Sequence, residues 1–233
     1  MTFLESIFGK KKSASTADIF ANIVGHEDAK EVLTMAVESV KPVHVLLKGP
    51  FGIGKTEMML DVMNHIGKKN SHFAIGSRIS KAGLGDFLIN NKNLEYLFID
   101  EMETMQRKDQ AVLLSIMQHG IVSETLYGKV RETKVNVRVI ASTNETRKID
   151  RALMTRFFVC NMNSYTEEQF VKVALAKCTT EDVTEETAEF IAKAVYNYVY
   201  EPNTRDVMRI ARLSKGDDDK IMRLVSILEG KRK

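Results

Sequence analysis

Residues 49–56 read Gly49-Pro50-Phe51-Gly52-Ile53-Gly54-Lys55-Thr56, a match to G-x-x-x-x-G-K-[ST]. That spacing makes a cradle for a polyphosphate. Glycines let the backbone come close and turn its N–H groups inward, and the positive end of a following helix favours anions. Lys55 then reaches the β- and γ-phosphates, and the Thr56 hydroxyl sits on Mg2+. A second group lies downstream, where Asp100-Glu101 directly follows the apolar run Tyr96-Leu97-Phe98-Ile99. An aspartate there holds the Mg2+ shell, and a glutamate orients and deprotonates a water for attack on the γ-phosphate. Asn144 ends another apolar run, where it either holds that water or touches the phosphate, or turns the chain out of a sheet. Arg151 and Arg156 follow closely, with planar guanidinium forks suited to phosphate.

Such groups meet only if strands and helices carry them to one place. The cradle lies between an apolar run at 43–47, read as a strand, and a helix-compatible run at 57–65. Before it, Ala29, Val32, Leu33, Ala36, Val37 and Val40 recur at helical spacing. After it come a strand at 72–75, a helix near 84–88, the strand 96–99 and a helix at 109–118. A hairpin turning at Tyr127-Gly128-Lys129 precedes a strand at 137–142, and 157–160 is a fifth strand of the main sheet. Strands alternating with helices predict a five-stranded parallel sheet covered on both faces, and ligands of such sheets collect at the strands' carboxyl ends. Beyond residue 163 strand signals cease. Thr166-x-x-Gln169 begins a capping box, and 166–177, 185–199, 204–213 and 220–228 carry helical periodicity, predicting a small all-α domain. The expected organisation is a flexible segment at 1–20, an α/β domain at 21–163 and a helical lid at 164–233.

Composition narrows the class without choosing a partner. In 233 residues, 44% are hydrophobic and 28% charged, ordinary for a globular protein, and the net charge is only +3. Any basic surface must therefore be local. Cys160 and Cys178 fit neither C-x-x-C nor zinc spacing, and the histidines are scattered, which argues against a Cys/His metal centre or a disulfide framework. No apolar stretch has the length of a membrane span and no secretory leader is evident, so the cytoplasm is the expected address.

Taken together these residues resemble the AAA+ ATPases, P-loop NTPases, and within them the RuvB-type branch-migration motors, with MCM helicases and MoxR-type ATPases as further relatives. The resemblance runs from about Ile19 to about Ser214. Ile23-Val24-Gly25-His26-Glu27-Asp28 is similar to the family segment that lies against adenine, and Leu97-Phe98-Ile99-Asp100-Glu101 to its Mg2+ strand. Ala141-Ser142-Thr143-Asn144 resembles the sensor 1 strand. Leu153-Met154-Thr155-Arg156-Phe157 resembles the arginine-finger segment, which implies that Arg156 reaches the ATP of a neighbouring subunit, with Arg151 as second candidate. Thr204-Arg205-Asp206 resembles the sensor 2 helix, which implies a γ-phosphate contact from Arg205. Tyr165-Thr166-Glu167-Glu168 is similar to the start of the RuvB lid, whose tyrosine lies near the base. The implied nucleotide contacts are Ile23, Val24, Gly49, Pro50, Phe51, Gly52, Ile53, Gly54, Lys55, Thr56, Glu57, Tyr165 and Arg205. Catalysis falls to Lys55, Glu101, Asn144, Arg156 and Arg205, with Thr56 and Asp100 on the metal and ATP/ADP and Mg2+ as cofactors.

The resemblance also implies partners. A finger acting in trans needs a head-to-tail neighbour, so a closed homo-oligomeric ring, a hexamer, is expected. The hairpin at 121–134 matches an extra hairpin of this branch, and Lys129, Arg131 and Lys134 give it charge for phosphate contacts, set against Glu124 and Glu132. The substrate is branched or duplex nucleic acid on the RuvB resemblance, or a protein as for MoxR-type chaperones, since the winged helix of RuvB has no counterpart here. A third class, a regulatory ATP-binding scaffold, has no need of Glu101, Asn144, Arg156 and Arg205. Phe51 and Ile53 depart from the proline and small residue usual in the loop. At the N-terminus, residues 1–12 place Leu4, Ile7 and Phe8 before Lys10-Lys11-Lys12, resembling a clamp-docking peptide with Met1 in place of its glutamine.

Overall fold

The computed structural model describes residues 19–126 and 129–229. The N-terminal segment 1–12 and the hairpin turn at Tyr127-Gly128 lie outside the described residues. By their contacts the residues group into two compact units. Among the described residues, one comprises residues 19–21, Glu27–Lys48 and the described part of Lys55–Asn161, and the other Asn22–His26, Gly49–Gly54 and residues 162–229.

The first unit is built on helix α1 (Glu27–Glu38), strand β1 (Val45–Lys48), helix α2 (Lys55–Ile66), strand β2 (Ser71–Ile75), helix α3 (Lys81–Asn90), strand β3 (Tyr96–Asp100) and helix α4 (Arg107–His119). Strands β4 (Ile121–Leu126) and β5 (Lys129–Lys134), strand β6 (Arg138–Thr143), the short helix α5 (Arg151–Met154) and strand β7 (Phe158–Asn161) complete it. Five strands form one parallel sheet in the order β2-β3-β6-β1-β7, while β4 and β5 pair antiparallel as a separate hairpin. Strands buried on both faces have no use for polar alternation, which is why Tyr96-Leu97-Phe98-Ile99 reads as a continuous apolar run. Leu97, Phe98 and Ile99 are fully buried, and each contributes roughly 1.5–3 kcal/mol by leaving water. The first strand begins two residues later than the apolar run 43–47 suggested. His44 turns its ring into the sheet, where Nδ1 accepts the Val139 backbone N–H at 3.1 Å, so a side chain takes the place of a rung there. Burial holds that imidazole below its ordinary pKa, in the neutral form that can accept.

The second unit carries helices α6 (Glu167–Cys178), α7 (Glu185–Tyr198), α8 (Thr204–Ser214) and α9 (Asp218–Glu229). Thr166 caps α6 through a complete capping box with Gln169, worth on the order of 1 kcal/mol. Phe170, Ala174, Ile191, Val195, Val207 and Ile210 are buried on the inner faces of three of these helices. Both cysteines are free and buried, and burial pushes the Cys160 thiol up to about 11, which makes it a poor nucleophile. Among the described residues no helix is long and apolar enough to cross a membrane.

Candidate functional site

Register brings the chemistry together. β6 lies between β1 and β3, with Lys48 opposite Thr143 and Ile99 opposite Ala141, so three strands end side by side. Lys55 and Thr56 open α2, Asp100 closes β3, and Asn144 follows β6. In the sheet unit the Lys55 Nζ donates to Asn144 Oδ1 at 2.9 Å, across 89 residues of sequence. The Thr56 hydroxyl donates to Asp100 Oδ2 at 2.9 Å, and Ser142 donates its hydroxyl to the other oxygen of that carboxylate. Lys55 is only 7% exposed, and burial lowers its pKa to about 8, against the upward pull of Glu103, Asp100 and Glu57.

Glu101 directly follows the carboxyl end of β3, with an exposed side chain and a left-handed backbone, φ 51° and ψ 49°. A non-glycine residue in that region is strained by about 1–2 kcal/mol, and surrounding bonds must hold it there. Its N–H donates to Asp100 Oδ1 at 3.1 Å and to Ser142 Oγ at 3.2 Å, while its carbonyl accepts from the Thr104 hydroxyl at 2.7 Å. A Cβ at Gly76 would stand 2.5 Å from that carbonyl oxygen, so glycine is required beside it.

In the helical unit the loop Gly49–Gly54 is bound to the start of the helical region. The Tyr165 hydroxyl donates to the Ile53 carbonyl at 2.8 Å, and the His26 ring lies 5.1 Å from the Tyr165 ring. Ile23 and Val24 are partly buried in the same unit, and a Cβ at Gly25 would come 2.7 Å from Gln169. Gly52 and Gly54 have φ of 77° and 91°, and side chains there would meet Asn203 and the Tyr165 hydroxyl at 3.0 Å. The loop is thus pared to backbone where an anion would rest. Pro50 and Phe51 are exposed on it, Phe51 by 66%. Arg205 is exposed near the start of α8, whose first N–H groups Asn203 caps through a 2.9 Å bond to the Arg205 N–H.

The arginines after β6 stand differently. Arg156 donates to the Ala152 carbonyl at 2.9 Å, to Thr155 Oγ1 at 2.7 Å and to Gln118 Oε1 at 2.8 Å. Arg151 opens α5 and is exposed. On the hairpin, Arg131 pairs with Asp86 at 3.1 Å and bonds to Asn90, while Lys134 is exposed. Sequence reasoning passed over three residues. Ser142 orients Asp100, buried Gln110 ties the loop before α5 by accepting the Asp150 N–H at 2.8 Å, and Glu103 accepts both the side chain and the backbone N–H of Asn144. Only the run Glu101-Met102-Glu103 hinted at the last.

One hydroxyl and one carboxylate 2.9 Å apart fit Mg2+, which keeps waters and phosphate oxygens and needs few protein ligands. Among the described residues no cluster of three or more His, Cys, Asp or Glu forms a cage for a metal on its own.

Known proteins share stretches of this sequence and this fold. A stretch 31% identical over 159 residues is found in the Holliday junction branch migration complex subunit RuvB of Fervidobacterium nodosum, covering 63% of this chain and 45% of that protein. RuvB of Trichormus variabilis is 24% identical over 199 residues, covering 79% and 54% respectively. The chain thus spans about half the length of the curated relatives it matches. Among solved structures the Thermotoga maritima RuvB Holliday junction branch migration motor superposes with a TM-score of 0.65 at 20% identity, over 89% of this chain and 72% of that one, a likeness of fold. The profile of the ATPase family associated with various cellular activities (AAA) matches residues 45–165, just over half of the sequence, and the chain belongs to that family.

Proposed function

We propose that the chain is a Mg2+-dependent ATPase, a subunit of a hexameric homo-oligomeric ring that couples ATP hydrolysis to the remodelling of branched DNA. The observation that carries the hydrolytic part is the pair of bonds Lys55–Asn144 and Thr56–Asp100, which gather an ammonium, a hydroxyl, a carboxylate and an amide from three strand ends. Lys55 would face the phosphate oxygens, and Thr56 and Asp100 would hold Mg2+, which when bound would supply charge neutralisation for the β- and γ-phosphates. Glu101 takes the proton of a water whose oxygen bonds to the γ-phosphorus while the bond to ADP breaks and its electron pair leaves with ADP. Asn144 steadies that water or the γ-phosphate. Adenine contact by Ile23, Val24 and Tyr165, γ-phosphate contact by Arg205 and a trans role for Arg156 are assigned on resemblance to the family, as are an ATPase domain at 21–163 and a lid at 164–233. The RuvB relatives support DNA as substrate, and Arg131 and Lys134 are the hairpin charges that would meet it, the side chain of the third, Lys129, lying outside those described.

The test is ATPase rate with and without a four-way DNA junction, on wild type and Glu101→Gln. Loss of the general base should lower turnover about 100-fold or more while nucleotide still binds. Equal turnover in the two proteins overturns hydrolysis at this site. Wild-type turnover indifferent to the junction overturns DNA as the substrate and points to a protein partner.

A further inference from the structure

We propose that Glu103 is a positioning residue that fixes which way the Asn144 amide points, and through it where the Lys55 ammonium stands; this rests on hydrolysis at the site set out above. Glu103 lies in the turn Met102–Thr104 directly after β3 and is 7% exposed. Its Oε1 accepts the Asn144 side-chain N–H at 2.5 Å and the Asn144 backbone N–H at 3.2 Å. Its Oε2 is buried with no hydrogen-bond partner. An amide has one donating and one accepting end. With the Asn144 Nδ2 held by Glu103, Oδ1 is the end presented to Lys55, which bonds it at 2.9 Å. Were the amide reversed, two donors would face each other at Lys55 and an acceptor would meet a carboxylate. A polar side chain of neutral charge would cap the backbone N–H of Asn144 as well, without burying an unsatisfied anionic oxygen, a feature that native folds seldom tolerate. The carboxylate is the group that enforces one orientation, because as an acceptor alone it excludes the flipped amide.

The measurement is steady-state ATPase, affinity for a fluorescent ATP analogue and melting temperature for wild type, Glu103→Gln, Glu103→Ala, Asn144→Ala and the Glu103→Ala/Asn144→Ala double variant. Glu103→Ala should lower kcat about tenfold, the scale of one charge-assisted hydrogen bond, with affinity changed less than about threefold. Glu103→Gln keeps an acceptor and should lose about threefold. The double variant should be no slower than Asn144→Ala alone, because groups acting through one another are not additive. Multiplying losses in the double variant, a loss confined to KM, or wild-type kcat in Glu103→Ala overturns the proposal. If Glu103→Ala does not fold, Glu103→Gln in the Asn144→Ala background decides it, since a further loss there excludes action through Asn144. Should wild type turn over no faster than Glu101→Gln, hydrolysis at the site falls, and this proposal with it.

Discussion

The acidic strand ends and the arginines beyond them, both in the sheet unit, are held in opposite ways. Lys55, Thr56, Asp100 and Asn144 are bound to one another by contacts 44 and 89 residues apart in sequence, and Lys55 is nearly sealed from water. Arg156 is bound to its own neighbourhood, Ala152, Thr155 and Gln118, at the surface, and Arg151 is exposed. The first group is organised by the sheet, with buried Glu103 bonded to Asn144. The second is held at the tip, its guanidinium bonded within its own unit, so the reach into a neighbouring subunit proposed above would require those bonds to be exchanged.

That contrast breaks most sharply at Arg156. Arg156→Ala should cost about a thousandfold in turnover, the scale of a trans-acting arginine, and mixing it with Lys55→Ala subunits should restore part of the activity. Failure of the mixture to recover, while Arg151→Ala subunits do recover, moves the role to Arg151. A smaller effect sharpens the buried half. The charge on Lys55 is lost as pH rises through about 8, so only about a tenth of the sites carry it at pH 9. Affinity for ATP should therefore weaken about tenfold between pH 7 and pH 9, read by titration of a fluorescent analogue. In Lys55→Arg, where the charge persists, that pH dependence should vanish. The same lowered pKa makes the unfolded chain the better proton binder between about 8 and 10.5, so this group makes stability rise with pH through that window. Smallest is Arg131→Ala. Its ion pair with Asp86 is half exposed on both sides, so the melting temperature should move by no more than about 2 °C. If the hairpin meets DNA, the slope of log affinity against log salt should fall by about one; an unchanged slope removes Arg131 from the interface.

Sequence reasoning reached whatever local chemistry specifies. The glycine-rich motif, the apolar run before Asp100-Glu101 and the Thr166/Gln169 box each carry their meaning within a dozen residues, and the sheet and helices formed around them. Strand order was not legible, because adjacency of β3, β6 and β1 is settled by packing rather than by neighbours in the chain. Glu103 escaped for that reason, since its partner Asn144 lies 41 residues away. Element ends shifted by one to three residues. The helix foreseen at 109–118 starts at Arg107, and His44 delays β1. The helix α5 gave no periodic signal, being a single turn capped by Asp150.

The left-handed backbone at Glu101 sets fold and chemistry at odds. Glycine or asparagine would sit there with less strain, so selection for heat resistance alone would drift toward them and away from the carboxylate. With Glu101 as the general base proposed above, position 101 is where a chain under relaxed demand for turnover would be expected to change first, gaining a more durable protein that would hold its nucleotide and leave it uncut.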